Sequence, residues 1–350
     1  MPASREKLLT LVVPTYNLEQ YLPACLQSVT ASEVPDALEV IVVNDGSTDN
    51  SLGVMKDFER RRPDVVRVID KPNGHYGSCV NAALEVARGK YFRPLDADDR
   101  MDTEALVKFL DNLAHCDSDL VVTLRTEHKS GHGPDPLVVR YPLGGVDFGR
   151  EYDLTQFRIA SHNPHDEFNM HSMTYRTDLL RRVRLRHLEG ICYTDFQYCF
   201  LPIDRARTLT IYPLYLYQYY IGREGQSTSL AAMHRNFRHI CKVIKAMTDY
   251  LESGQRNPNP VVRANQDHYV NKALDIFAVS LREQRHISRA DYAPVREIME
   301  SVERLGIHNR LLHKFYFRLW RKFGGPVSLQ VAMTGYRLAH LRRYLGRRKK

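Results

Sequence analysis

"FRPLDADDR" (residues 92–100) places three carboxylates, Asp96, Asp98 and Asp99, within four positions of one another, directly after an apolar and aromatic run. Like charges this close repel, and a solvated loop has no need of them. In extended geometry side chains alternate faces, so Asp96 and Asp98 are expected to point the same way. A cation between two carboxylates relieves their repulsion. Hard oxygen ligands select Mg2+ or Mn2+, ions commonly completed by substrate phosphates. The structural alternative is a turn or helix cap, with Asp99 or Asp102 capping the helix that follows. The surroundings decide between the two readings.

Outward from this cluster the chain alternates between two periods. "LLTLVVP" (8–14) and "LEVIVVN" (38–44) are short apolar runs that read as fully buried strands, and "VVRVID" (65–70) and "KYFRPL" (90–95) read as a third and a fourth strand. Between the first two, Leu22, Cys25, Leu26 and Val29 fall at i, i+3, i+4 and i+7, a helical stripe. A second helix is expected over about 50–62, and Val80, Ala83, Leu84 and Ala87 repeat the spacing before Gly89 stops it. A further helix over roughly 102–114 precedes "SDLVVTL" (118–124), and "TLTIYPLYLYQYY" (208–220) reads as more strand. Strand–helix–strand alternation with short connections implies right-handed crossovers and a mostly parallel sheet. From about Leu230 onward the pattern is helical.

Ligands of open α/β sheets bind at the carboxyl ends of the strands. Four such ends carry polar signals: "PTYN" (14–17), "NDGSTD" (44–49), "DKPNGHYG" (70–77) and "DADD" (96–99). Parallel strands would bring all four to one edge. Asp45 then reads either as a turn residue or as an acceptor for a base or ribose donor group. No G-x-G-x-x-G or G-K-[ST] is present, which argues against a dinucleotide fold and a P-loop.

Taken together, "VVPTYN", "VIVVNDGSTD", "NGHYGSCVNAAL" and "FRPLDADD" resemble the family 2 glycosyltransferases of the GT-A fold. The likeness is close over about 8–115, weakens to about 228 and ends there. It implies a mostly parallel sheet flanked by helices, followed by a smaller C-terminal helical region. The expected domains are a catalytic domain at 1–228, with a nucleotide half at 8–115 and an acceptor half at 116–228, and a basic helical region at 229–350. The implied activity is transfer of a sugar, with inversion, from a nucleotide-diphosphate donor (UDP first) with Mn2+ or Mg2+. By matched positions, Pro14, Tyr16 and Asp45 would hold the base, and Asn73 and Gly74 would lie near the donor. Asp96 would bind ribose or sugar, and Asp98 or Asp99 the metal. Arg223 in "YYIGREGQSTS" would reach the diphosphate, with Gln226 and Ser227 beside it. Asp195 in "ICYTDFQYCF" would be the general base, with Thr194 where the family often has Glu. Asp166, Glu167 and Glu189 are alternatives for that role. His162, His165 and His171 lack a tight zinc spacing and are expected to shape the acceptor site.

Charge is unevenly placed. The net charge is +9, but residues 301–350 hold thirteen Lys or Arg against Glu303, a net +12, which leaves −3 elsewhere. "NRLLHKFYFRLWRKF" (309–323) sets Leu311, Leu312, Phe315, Tyr316, Leu319, Trp320 and Phe323 opposite Arg310, Lys314, Arg318 and Arg321. That is the pattern of an interfacial helix on anionic lipid. The expectation is a peripheral enzyme on the cytoplasmic face of the cell membrane, acting on a glycan or lipid-linked glycan in surface-polysaccharide assembly. The competing reading of the tail is a helix packed on the catalytic domain. Nucleic acid is not an expected partner, since no base-reading motif accompanies the charge. No apolar run is long enough to span a bilayer, no signal peptide is read, and the six cysteines are expected to be reduced thiols. Two other functions remain open. A nucleotidyltransferase would want a glycine-rich basic loop near the N-terminus, and a degenerate binding protein would not need the intact carboxylate set.

Overall fold

The computed structural model describes residues 7–129, 137–138, 146–158, 168–222, 229–254, 257–283 and 288–309, with five single positions between 325 and 334. The chain divides into two compact units. The first is Met1–Glu224 with Asn257–Asn265, and the second is Gly225–Arg256 with Gln266–Lys350.

The first unit is built on one mixed sheet. Strands β1 (Leu9–Thr15) and β2 (Leu38–Asp45) are buried along their whole length, as continuous apolar runs require. They pair in parallel, Leu9 opposite Leu38. Strand β3 (Val66–Lys71) lies parallel on β2, and β4 (Tyr91–Pro94) parallel on β1. Beyond β4 the sheet turns mixed. After β5 (Arg100–Met101), β6 (Leu120–Lys129), β7 (Leu137–Val138), β8 (Glu151–Asp153), β9 (Met173–Arg176) and β10 (Thr208–Ile221), the order is β3-β2-β1-β4-β9-β6-β10-β5. Strand β9 is antiparallel to both its neighbours, whereas β6 and β10 are parallel.

Helices cover the sheet through the stripes expected of them. Helix α1 (Leu22–Thr30) buries Leu22, Cys25, Leu26 and Val29. Helix α2 (Ser51–Arg61) follows β2, and α3 (His75–Val86) buries Val80, Ala83 and Leu84. Helix α4 (Thr103–Ala114) buries Leu106, Phe109, Leu110 and Leu113, each contributing about 1.5–3 kcal/mol of transfer free energy. Asp102 caps α4, its side chain accepting from Ala105 N–H at 2.8 Å. The 96–99 cluster is therefore released from capping. Two short helices, α5 (Thr177–Arg182) and α6 (Asp195–Phe200), complete the unit.

Residues 257–265, grouped by the sequence reading with the helical region, join the first unit through side-chain amides. Asn257 donates to the Asp204 carbonyl at 2.7 Å, Asn265 to that of Cys199 at 3.1 Å, and Asn259 to that of Leu154. The second unit holds α7 (Leu230–Arg235), α8 (Phe237–Glu252), most of α9 (Pro260–Glu283) and α10 (Arg289–Arg304). Helix α8 buries Ile240, Val243, Ile244, Met247 and Leu251 and packs on α10. No described helix is long and apolar enough to cross a membrane. The amphipathic stretch after Asn309 and the basic run at 342–350 lie outside the described residues.

Candidate active site

Strands β1 to β4 are mutually parallel, so their carboxyl ends share one edge. Side chains join the first two loops there. Asn17, at φ 52°, accepts from Thr48 N–H at 2.7 Å, and Glu19 accepts from Asn50 N–H at 2.7 Å. Pro14 is buried within β1, and Tyr16 is 49% exposed just past it. The turn role at the end of β2 falls to Asn44, whose Oδ1 accepts from Ser47 N–H at 3.1 Å. Asp45 makes other contacts. Its Oδ1 accepts from Gly74 N–H at 2.8 Å and from Lys71 Nζ at 2.5 Å. Lys71 also reaches Ser78 Oγ at 2.8 Å, so the sheet edge supplies Asp45 with a fixed counter-charge. Asn73 is exposed. Gly74 has no room for a side chain: a Cβ there would stand 2.6 Å from Ser78 Oγ.

The carboxylate cluster is not extended. Strand β4 ends at Pro94, and Asp99 N–H donates back to the Asp96 carbonyl at 3.0 Å, closing a turn. Strand alternation therefore does not govern these side chains. The turn brings Asp96 and Asp99, not Asp96 and Asp98, together with His171. Ligand atoms of Asp96, Asp99 and His171 all lie within 4.8 Å of one another. His171, expected on the acceptor side, has Nε2 3.8 Å from Asp96 Oδ2 and its ring stacked on Tyr219 at 4.3 Å. Asp98 is half-buried, and Asp99 is 1% exposed. Asp99 accepts from Tyr217 OH and from Tyr220 N–H, both at 2.7 Å. Burial, then the charges of Asp96 and Asp98, push its carboxyl up to about 9 against those two donors. Behind the cluster lies Arg93, fully buried, which donates to Thr123, Thr174 and the His171 carbonyl. No carboxylate pairs with it among the described ion pairs. Burial lowers its guanidinium to about 10.

Asp195 opens α6, half-buried. Thr194 sits at the N-cap position without a side-chain bond to the helix. The Tyr76 phenol is held well above its usual value first by burial, then by the charges of Asp96 and Asp195. Tyr219 is raised by burial and by Asp99, Asp96, Asp98 and Asp195 together. Asp195 thus acts on the same edge as the 96–99 turn. Glu189 is engaged elsewhere, accepting from Asn81 Nδ2 at 2.8 Å. Asp166, Glu167, His162, His165, Arg223, Gln226 and Ser227 lie outside the described residues.

The model of "Glycosyl transferase family 2" matches residues 10–183, a span that runs from β1 past the acidic turn to the end of α5. The chain belongs to glycosyl transferase family 2. Over 159 residues it is 35% identical to a hyaluronan synthase of Pasteurella multocida; that match covers 45% of this chain and 16% of the synthase. Among solved structures it resembles S. aureus TarS 1–349 in complex with UDP-GlcNAc, at a TM-score of 0.65 and 19% identity, over 95% of this chain and 92% of that one. It also resembles the mannosyltransferase PcManGT from Pyrobaculum calidifontis in complex with GDP-Man and Mn2+. There the TM-score is 0.51 and the identity 16%, over 97% of this chain and 89% of that one. These likenesses bear out the GT-A type of fold.

The family 2 domain presents a donor set suited to a divalent cation. Two carboxylates and one imidazole converge, a mixture of hard and borderline donors. Asp99 is otherwise disfavoured as an anion, and a bound cation is the charge that reverses this. Three residues of the site carried no sequence signal, and His171 was read only for the acceptor side. Lys71, Arg93, His171 and Tyr217 are far from their partners along the chain, and only pairing of β4 and β6 with β9, and of β6 with β10, brings the last three together.

The loop entering α6 contains a buried histidine with a pH signature. His187 is 2% exposed, Nδ1 lies 2.8 Å from the Thr194 carbonyl, and Nε2 has no partner. Burial lowers it to about 4 from 6.5, against the opposing pull of that carbonyl. A depressed folded value means His187 is neutral in the fold, and the stabilisation is complete above about pH 6.5. It is lost as pH falls toward 4, by up to about 3 kcal/mol. Urea midpoints should therefore fall more steeply from pH 7 to 4.5 in the wild type than in His187→Gln. Parallel curves would refute the assignment.

Proposed function

We propose that this chain is an inverting glycosyltransferase that moves a sugar from a nucleoside-diphosphate donor, UDP first among them, to a hydroxyl of a glycan or lipid-linked glycan. One observation carries the reading. The Asp45–Gly74 contact, the Asp96/Asp99/His171 group and Asp195 converge on one strand edge of a family 2 fold. Pro14, Tyr16 and Asp45 form the base side, and Asn73 and Gly74 the floor beneath the donor. Asp96 takes ribose or sugar. The metal ligands are drawn from Asp98, Asp99, Asp96 and His171, and Arg223 contributes to the diphosphate. A bound Mn2+ or Mg2+ would offset the charge of the departing diphosphate. Asp195 removes the proton of the acceptor hydroxyl as that oxygen attacks the anomeric carbon.

A panel of UDP- and GDP-sugars, with and without Mn2+, tests this by release of the nucleoside diphosphate. Slow metal-dependent hydrolysis of one donor is expected, with water in the acceptor's place. No release from any donor in the presence of Mn2+ would end the proposal.

The basic tail supports a second element of the reading, a peripheral enzyme on the cytoplasmic membrane face engaged in surface-polysaccharide assembly. Each Lys or Arg near an anionic surface contributes about 1 kcal/mol. Full-length protein should therefore sediment with phosphatidylserine vesicles at low salt, and reversing Arg342, Arg343, Arg347 and Arg348 to Glu should release it without changing donor hydrolysis. Indifference of the full-length protein to the vesicles would remove the membrane from the proposal.

A further inference from the structure

Residues 187–194 lead into Asp195, and this loop is fastened to α3, the helix whose first residue follows Gly74. Asn81 of α3 is 8% exposed and commits its whole side chain to the loop. Its Oδ1 accepts from His187 N–H at 2.9 Å, and its Nδ2 donates to the His187 carbonyl at 3.0 Å and to Glu189 Oε1 at 2.8 Å. One turn earlier, Gly77 lets the loop approach closely: a Cβ there would stand 2.3 Å from the Leu188 carbonyl oxygen. Gly190 N–H donates to the Gly74 carbonyl at 2.8 Å, while Gly74 N–H donates to Asp45. The Gly74 segment thus touches both Asp45 and the loop that leads into Asp195. Near its start the loop is also tied to α6, where Gln197 Oε1 accepts from Leu188 N–H at 2.8 Å.

The loop also carries strain. Tyr193, two residues before Asp195, is held at φ 66°. A left-handed non-glycine residue costs on the order of 1 kcal/mol and persists only where its surroundings over-determine it.

We propose that Asn81 is a positioning residue for the base: by clamping loop 187–194 to α3 it sets where the Asp195 carboxylate stands relative to the donor. The proposal rests on the reading of Asp195 as the base. Displacing a reacting group by about 1 Å costs as much as 10²-fold in rate. Pure loss of stability would instead lower every function together.

The test uses the full-length chain, Mn2+, UDP binding by calorimetry, and hydrolysis of the UDP-sugar turned over best in the panel above. Asn81→Asp keeps the acceptor for His187 N–H and removes both donors; Asn81→Ala removes all three bonds without adding charge. Each is expected to keep UDP affinity within about threefold while kcat falls about 10- to 100-fold. In an Asp195→Asn background the same changes should alter the residual rate by less than about threefold, because residues that act as a unit are not additive. An equal fold-loss in both backgrounds overturns the proposal, since Asn81 would then act apart from Asp195. Loss of UDP binding in step with turnover, or failure of both variants to fold, marks Asn81 as structural and also overturns it. Wild-type turnover by Asp195→Asn alone refutes the base reading and this proposal with it, an outcome distinct from the other two.

Discussion

Asp195→Asn is expected to lower turnover by roughly 10²–10⁴-fold, the usual weight of a general base, while UDP affinity in the presence of Mn2+ stays within a few-fold of wild type. The amide has nearly the shape of the carboxylate and cannot accept the acceptor's proton. The proposed donor contacts should stay in place, because Asp45 and the 96–99 turn follow β2 and β4 whereas Asp195 opens α6. Helix α6 should survive the change, being held by its buried residues Phe196, Tyr198 and Phe200, with Tyr198 OH donating to the Phe92 carbonyl at 2.9 Å. Calorimetric UDP binding and metal-dependent UDP release measure the two quantities separately. Collapse of binding along with turnover would make Asp195 a donor ligand or a structural residue.

The carboxylate turn supports the second large effect. Asp98→Asn and Asp99→Asn should each weaken Mn2+-dependent UDP binding by about 100-fold or more, beyond the 10–100-fold usual for outer-shell partners. The two should differ in stability in an informative way. Burial and the charges of Asp96 and Asp98 raise the Asp99 carboxyl, which favours its protonated form in the metal-free fold. Asparagine reproduces that neutral form. Its carbonyl oxygen can accept from Tyr220 N–H, keeping that bond, and its amide can donate to Tyr217 OH, which reverses the other. The thermal midpoint of Asp99→Asn should therefore stay within about 2 °C of wild type, under about 1 kcal/mol. Loss of metal response without loss of stability is the expected pair of results. Near-wild-type Mn2+-dependent turnover in either variant would discard that residue as a ligand.

The strands and helices of the nucleotide half were legible because their periods are unmixed. Runs such as Leu9–Pro14 and Leu38–Val43 are apolar apart from Thr10 and Glu39, since parallel strands are covered on both faces. The stripe Leu22, Cys25, Leu26 and Val29 is buried as a unit for the matching reason. Strand β9 was less legible: four residues wedged antiparallel between β4 and β6 have no period of their own.

The sequence by itself determined that acidic and turn-forming residues end four strands, and hence that a polar edge exists and what chemistry it suits. Composition and spacing suffice there because chain direction carries every parallel strand end to the same side. Which side chains meet at that edge was decided only by the tertiary structure. Alternation paired Asp96 with Asp98, but the chain leaves extended geometry after Pro94, and the 96–99 turn pairs Asp96 with Asp99 instead. His171 joins them because β9 inserts beside β4 and the buried Arg93 holds its carbonyl. Asp45 gains a lysine counter-charge only because β3 lies alongside β2, with Lys71 in register opposite it. Such contacts depend on register and on the mixed half of the sheet, and no local period in a single chain encodes either.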